Sequence, residues 1–126
     1  GANMYQKLII HGNLGSDAEL KYLTDGTAVC TFSLASSRII TKGKDETTWY
    51  RVTRFGKQAE VLSQYLLKGT SVIVEGRLKP DENGNPRVFQ RKDQSWAASY
   101  EVTASDIEFA GNKKSEQLPA DQEIAF

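Results

Sequence analysis

Along most of this chain, apolar and polar residues alternate with a period of two. Alternate residues of a strand point to opposite faces, so each alternating segment predicts a strand with one buried face. The predicted strands are 7–14, 19–23, 28–36, 47–55, 71–78 and 96–104. The residues predicted to face the core are Leu8, Ile10, Gly12, Leu14, Ala28, Cys30, Phe32, Leu34, Val72, Val74, Gly76, Leu78, Tyr100 and Val102.

One segment departs from this period. Ala59, Leu62, Tyr65 and Leu66 recur at spacings of three and four, which predicts a helix of about three turns over 57–67. Turn-forming residues separate the strands, and the polar stretch 41–46 is predicted to be a loop tip. Apart from the short segment 19–23, five strands with a helix between the third and the fourth predict an all-β OB-fold, a five-stranded Greek-key barrel.

The length of 126 residues suits one domain. We expect an OB-fold domain over 4–110, followed by a flexible acidic tail over 111–126, which is polar and lacks an apolar pattern. The sequence contains no run of 18 apolar residues, so no membrane-spanning helix is predicted. The single cysteine, Cys30, cannot form an internal disulfide and suits a reducing, cytoplasmic location.

The net charge of the chain is zero, whereas nucleic-acid-binding proteins often carry an excess of basic residues. The charge is unevenly placed, however. The last twelve residues hold three of the 16 acidic residues and no Lys or Arg, which leaves the rest of the chain at +3. Composition alone therefore leaves nucleic-acid binding open.

The third long strand carries the most informative chemistry. Alternation puts Trp49, Arg51 and Phe55 on one face, opposite Tyr50 and Val52. Flat apolar rings beside a cation are what a surface needs to stack bases and hold phosphates. The alternative is that both rings are core and the arginine is a solvated charge. Against it, the opposite face is already apolar, and a barrel strand has only one core side.

Further basic and aromatic residues lie in the connections. Those near the second-to-third-strand loop are Arg38, Lys42 and Lys44, and those in the long hairpin before the last strand are Lys79, Arg87, Phe89, Arg91 and Lys92. This composition suits an arm that lies along a nucleic-acid strand, although a merely solvated hairpin is the alternative. Trp96 shares the parity of Val102 and is predicted to lie at the edge of the core.

Catalysis finds little support in the sequence. His11 is the single histidine and lies mid-strand, and no Cys/His cluster has the spacing of a zinc site. No Gly-rich phosphate-cradling motif occurs. We therefore expect a binding protein without enzymatic activity, metal or cofactor. An OB-fold protein-interaction adaptor or a primosomal replication protein is the alternative.

Several segments resemble bacterial single-stranded DNA-binding proteins. They are LIIHGNLGSD with ELKY, TWYRV followed by FGK, AEV with YLLKG, and VEGRL. The similarity extends over about 5–111. It implies an OB-fold without a cofactor or enzymatic activity, usually a homotetramer, which coats single strands in the nucleoid during replication, recombination and repair. It also implies partner proteins that bind the C-terminal tip.

The resemblance implies roles for individual residues. Trp49 and Phe55 would stack bases, and the phosphate contacts would be made by Arg51, Lys57, Lys68 and Lys79. With the loop residues, the predicted DNA-binding set also contains Arg38, Phe89 and Arg91. The tetramer would use the edge of the first strand, where Ile9 and His11 point away from the core.

The sequence also departs from the family pattern. Ile40 stands where many members have a tryptophan, and we expect Phe89 to compensate. Arg54 stands where an apolar residue is usual. The chain ends in a diluted form of the family's acidic tip, and the predicted partner-binding residues there are Asp121, Glu123, Ile124 and Phe126.

Overall fold

The structure is a computed structural model and describes residues 3–111. Its strands are β1 (Leu8–Leu14), β2 (Glu19–Tyr22), β3 (Ala28–Thr41), β4 (Lys44–Phe55), β5 (Ser71–Leu78), β6 (Arg87–Gln90) and β7 (Trp96–Phe109). One helix, α1 (Lys57–Ser63), follows β4. At seven residues it is too short to cross a membrane, and the described residues contain no other candidate span.

Five of the strands close into a barrel. Their order is β1-β5-β7-β4-β3, and β1 returns to β3 through the pairs Asn13–Ala35 and Leu14–Leu34. These neighbours are antiparallel except β4 and β7, which run parallel. The short strand β2 adds to β3, and β6 pairs with β7 alone. The predicted five-stranded barrel with one helix after the third long strand is confirmed.

The core lies inside the barrel and is built by the predicted alternation. Its most buried large side chains include Leu34 and Leu66, with the valines of β4, β5 and β7. Cys30 lies among them, and its burial raises the pKa of its thiol because a thiolate would lose hydration there. Two core-facing glycines let strands approach closely. A Cβ at Gly12 would collide with the carbonyl oxygen of Ala35, and one at Gly76 with that of Thr103.

The helix is shorter than the predicted 57–67. Its last turn tightens, because Tyr65 and Leu66 donate to the carbonyls three residues before them. The side chains of Ser63 and Gln64 bond the carbonyls of Glu60 and Val61, at 3.0 and 3.2 Å. Such local bonds compete with a continuing helix. The turn still delivers Leu66 to the core, where it is fully buried.

The strands run beyond the barrel and form two arms. The β3–β4 arm consists of residues 37–47, so the predicted loop 41–46 is reduced to a tight turn at Gly43, and Lys44 already belongs to β4. The arm has no apolar face, which is why alternation missed it. The β6–β7 arm consists of residues 87–99, with β6 paired to the first residues of β7. The short strand ends at Tyr22, one residue earlier than predicted.

Leu78 and Tyr100, predicted to face the core, and Trp96, predicted to lie at its edge, are not covered by it. Trp96 is 68% exposed, Tyr100 is 55% exposed, and Leu78 is about half exposed. All three have the core-facing parity, but they lie where their strands leave the barrel and no second layer covers them. Val102, two residues further along β7 than Tyr100, is fully buried as predicted.

Candidate functional site

The outer side of β4 presents aromatic and cationic groups to solvent. Trp49 is 54% exposed, Phe55 is 39% exposed, and the side chain of Arg51 is also about half exposed. Val52 on the opposite side has no exposed surface. The predicted orientation of the strand is therefore confirmed. We call this outward side, with the outward residues of the adjoining strands, the outer face.

Small residues hold the indole of Trp49 in place. The ring lies directly over Gly15, where an added Cβ would come within 2.6 Å of its Cζ3 and 2.9 Å of its Cη2. Ser33 lies next to Gly15, and Ala35 pairs with Trp49 across the β3–β4 ladder. One side of the indole is thus packed on backbone. The ring is packed on one side yet half exposed, which suits a stacking surface.

An acidic residue lies at the centre of the outer face. Glu101 pairs with Arg51 across the parallel β4–β7 ladder, and only 11% of its side chain is exposed. Its Oε2 accepts a hydrogen bond from Ser99 Oγ at 2.5 Å and one from Arg87 Nη1 at 3.4 Å. Its Oε1 lies 3.9 Å from Arg51 Nε. One carboxylate therefore links an arginine of the barrel to one of the β6–β7 arm.

The β6–β7 arm continues the same face. Arg87 pairs with Ser99 and Phe89 pairs with Ala97, so both share the side of the sheet on which Glu101 lies. The guanidinium of Arg87 lies 5.2 Å from the centre of the Phe89 ring, within the range of a cation–π contact. Phe89 is partly buried by this packing.

Two open clefts adjoin the outer face. One, of about 520 Å³, is the fork where the two arms diverge, between Trp49 and Arg51 on one side and Ser99 and Tyr100 on the other. The larger cleft, of about 1420 Å³, lies where β4 ends. Its aromatic and basic lining residues are Tyr5, Lys7, Arg54, Phe55, Arg77, Lys79 and Tyr100. Arg54 is partly buried, and its Nε has no hydrogen-bond partner among residues 3–111.

The other predicted DNA-binding residues are distributed around these features. Lys57 begins α1 two residues after Phe55, and Lys79 follows β5 and donates its N–H to the carbonyl of Glu101 at 2.8 Å. The backbone N–H of Lys68 donates to Asp17 Oδ1 at 2.8 Å. Asp17 lies in the turn that follows Gly15, the glycine in contact with Trp49.

The remaining two lie on the arms. Arg38 is on the β3–β4 arm opposite Glu46, and Arg91 is at the turn that ends the β6–β7 arm, with Nη1 3.4 Å from Ser95 Oγ. The structure thus gathers Trp49, Arg51, Phe89 and Lys79 on or beside one face, and places Arg38 and Arg91 away from the barrel. Their roles in binding stay predictions. The predicted partner-binding residues of the tail lie outside the described residues.

Two residues of the site were missed from sequence. Arg77 pairs with Thr103, which pairs with Thr53, so it lies on the outer face. The prediction that Val74 and Gly76 face the core was the sequence signal that could have located it, because Arg77 has the opposite parity. Glu101 had no such signal, because its contact with Arg51 depends on the register of two strands that are distant in sequence.

The described residues contain no group of three His, Cys, Asp or Glu side chains that could hold a metal ion. His11 Nε2 lies 3.0 Å from Ser71 Oγ on the neighbouring strand β5, which gives this histidine a structural contact.

Comparisons with known proteins agree on one family. The sequence profile of the "Single-strand binding protein family" matches residues 5–110. A "Single-stranded DNA-binding protein" of Helicobacter hepaticus is 40% identical over 118 residues, which cover 89% of this chain and 65% of the relative. Proteins of the same description from two Neisseria meningitidis strains are 34% identical over 111 residues, 85% of this chain and 60% of each relative. The chain spans less than two thirds of the length of these relatives.

Proposed function

The chain belongs to the single-strand binding protein family, and we propose that it binds and protects single-stranded DNA without sequence specificity and catalyses no reaction. The observation that carries this proposal is the outer face of β4, where an exposed, backbone-packed Trp49 and an exposed Phe55 flank Arg51. Every base has an aromatic face, so stacking tolerates any sequence. The cation between the rings is placed to meet the phosphate of the same strand.

The path of the strand follows the outer face. Trp49 and Phe55 lie six residues apart on β4, about 20 Å along the strand, so several nucleotides fit between the two rings. Phe89 offers a third ring on the β6–β7 arm, whereas Ile40 on the other arm offers an exposed apolar side chain but no ring. Phosphate contacts would come from Arg38, Arg51, Lys57, Lys68, Lys79 and Arg91.

The experiment that tests this function is a titration of labelled oligothymidine and of a labelled duplex of equal length, followed by fluorescence anisotropy at two salt concentrations. We expect tight binding to the single strand and weak binding to the duplex. Affinity should fall as salt rises, because counterions are released from the neutralised phosphates. Equal affinity for both nucleic acids would contradict the proposal.

We also propose that the protein assembles as a homotetramer, a pair of dimers. Only Asn13 and Leu14 of β1 pair with β3, so the preceding residues of β1 leave an edge that a second copy could pair with. Ile9 is exposed beside that edge, and Ser36 Oγ donates to the carbonyl of His11 there. Light scattering at micromolar concentration tests the assembly, and a monomer mass would refute it.

The proposed cellular role is that of a cytoplasmic, nucleoid-associated protein that coats single strands during replication, recombination and repair. Partner proteins would bind the end of the tail, where Asp121, Glu123, Ile124 and Phe126 combine carboxylates with apolar groups. Removing residues 124–126 should abolish recruitment of partners from a cell extract and leave DNA affinity unchanged or slightly raised. Identical sets of captured proteins would argue against an interaction tip.

A further inference from the structure

Glu101 is an unexpected group for a surface that is otherwise cationic and aromatic. Its carboxylate lies on the outer face beside Arg51 and is nearly buried. Burying a carboxylate this far from water costs free energy unless hydrogen bonds or opposite charges accompany it. Its partners therefore determine what it does for the face.

Those partners differ in the strength of their contact. Ser99 Oγ makes a short hydrogen bond to Glu101, whereas the atoms of Arg87 and Arg51 that face the carboxylate lie at 3.4 and 3.9 Å. Both distances are long for a charge-assisted hydrogen bond. Both arginine side chains are also about half exposed. A guanidinium has five N–H donors, so each arginine keeps donors for a second anion.

We propose that Glu101 is an internal counter-anion, which holds Arg51 and Arg87 in place in the free protein and competes with a DNA phosphate for them when a strand binds. This inference rests on the proposed function and adds a residue that tunes it. The anion keeps two like charges together at the junction of barrel and arm. It also lowers affinity, because a phosphate that approaches either arginine meets the charge of Glu101.

The same arrangement sets the position of the arm. Arg87 contacts Glu101 on one side and the ring of Phe89 on the other. Arg51 reaches the carboxylate from the barrel. This chain of contacts links the third ring to the outer face of the barrel, next to Trp49.

The Glu101→Gln variant removes the negative charge of this side chain but keeps its size and shape. Glutamine has the same size and can still accept the hydrogen bond from Ser99, but it no longer neutralises the arginines. We expect affinity for oligothymidine to rise roughly 3- to 30-fold, because the variant removes an anion that repels the bound phosphate. The plot of log affinity against log salt should steepen by roughly one, because more arginine charge becomes available to replace counterions.

Glu108→Gln is the matched control. It removes the same charge from the same strand, but Glu108 pairs with Ile73 and lies about 23 Å along β7 from Glu101. A gain confined to Glu101→Gln supports a local role. Equal gains in both variants would assign the effect to net charge and overturn the inference.

Thermal unfolding checks that each variant folds, and a second pair of variants serves if Glu101→Gln does not. If Glu101→Gln alone does not fold, Arg87→Gln is compared with Arg87→Gln/Glu101→Gln. In the double variant Arg51 no longer has a second arginine beside it, so the loss of the carboxylate leaves no pair of like charges. The double variant should bind more tightly than the single one. Unchanged or weaker binding by folded variants would mean that Glu101 is only structural. Failure of the unsubstituted protein to bind the strand would overturn the proposed function and this inference with it.

Discussion

The two halves of β7 have opposite surroundings. From Val102 to Ile107 the strand lies in the barrel between β4 and β5, and its inward side chains are almost completely buried. From Trp96 to Ser99 it pairs with β6 in the arm, and Trp96 is largely exposed although its parity is that of Val102. Alternation decides which way a side chain points, whereas closure of the barrel decides whether anything covers it.

This difference also separates stability from function. The barrel half supplies buried apolar area, and the arm half supplies exposed rings and charges that a ligand can reach. Glu101 lies at the junction, next to Val102 in the chain and joined to the arm through Ser99 and Arg87. Substitutions in the barrel half should therefore change the free energy of unfolding, whereas substitutions of exposed rings and charges should change DNA affinity.

The largest effect is expected from Val102→Ala, which removes two buried methyl groups from the barrel half. We expect the free energy of unfolding to fall by about 2–3 kcal/mol, from lost burial and from the cavity that remains. Chemical denaturation measures this change. DNA affinity, counted per folded molecule, should stay the same. A large loss of affinity in the folded variant would show that barrel and outer face are not separable.

Trp49→Ala and Phe55→Ala test the outer face. Each should cost about 1–3 kcal/mol of binding free energy, the usual range for a lost base–aromatic stack, as measured by anisotropy titration. The free energy of unfolding should change less, because both rings are substantially exposed. If either variant instead melts far lower and binds DNA normally when folded, its ring is part of the core and the face is assigned wrongly.

Gly15→Ala sharpens the same comparison without removing any group that would contact DNA. The added Cβ would occupy the space of the Trp49 ring, so the indole must move. We expect a loss of about 1 kcal/mol of binding, the low end of the range for a stack. Ser16→Ala, in the exposed turn beside it, is the control and should bind normally. Unchanged binding by Gly15→Ala would mean that the position of the indole does not matter.

The smallest effect is expected from Trp96→Phe in the arm. Trp96 lies outside the barrel, so the free energy of unfolding should change by less than about 0.5 kcal/mol, as for most surface substitutions. Denaturation measured alongside Val102→Ala makes the comparison within one strand. A cost similar to that of Val102→Ala would mean that Trp96 is buried in solution and that the original expectation of a core-edge residue was right.

The sequence predicted the side of each long strand because alternation is local. It therefore placed Val52 inside and Trp49 outside, and the five-stranded barrel was predicted from the number of long strands and the position of the helix. It did not predict how far the strands run, since residues 37–47 pair without alternation and their two apolar side chains, Ile39 and Ile40, are adjacent in the chain. It also missed Glu101, because only the β4–β7 register brings that carboxylate to Arg51. Arg54 has no partner for its Nε in the described part of the chain, and nothing in the structure explains its presence on the inward side.

The fluorescence of Trp49 during binding shows whether a DNA strand lies on the outer face of β4. The chain has two tryptophans, so the Trp96→Phe variant leaves Trp49 as the sole indole. We predict that oligothymidine quenches its emission in step with the rise in anisotropy of the labelled strand, and that added salt restores it, because a base stacks on the ring in the complex. Binding seen by anisotropy with unchanged Trp49 emission would contradict the claim that the outer face of β4 holds the strand.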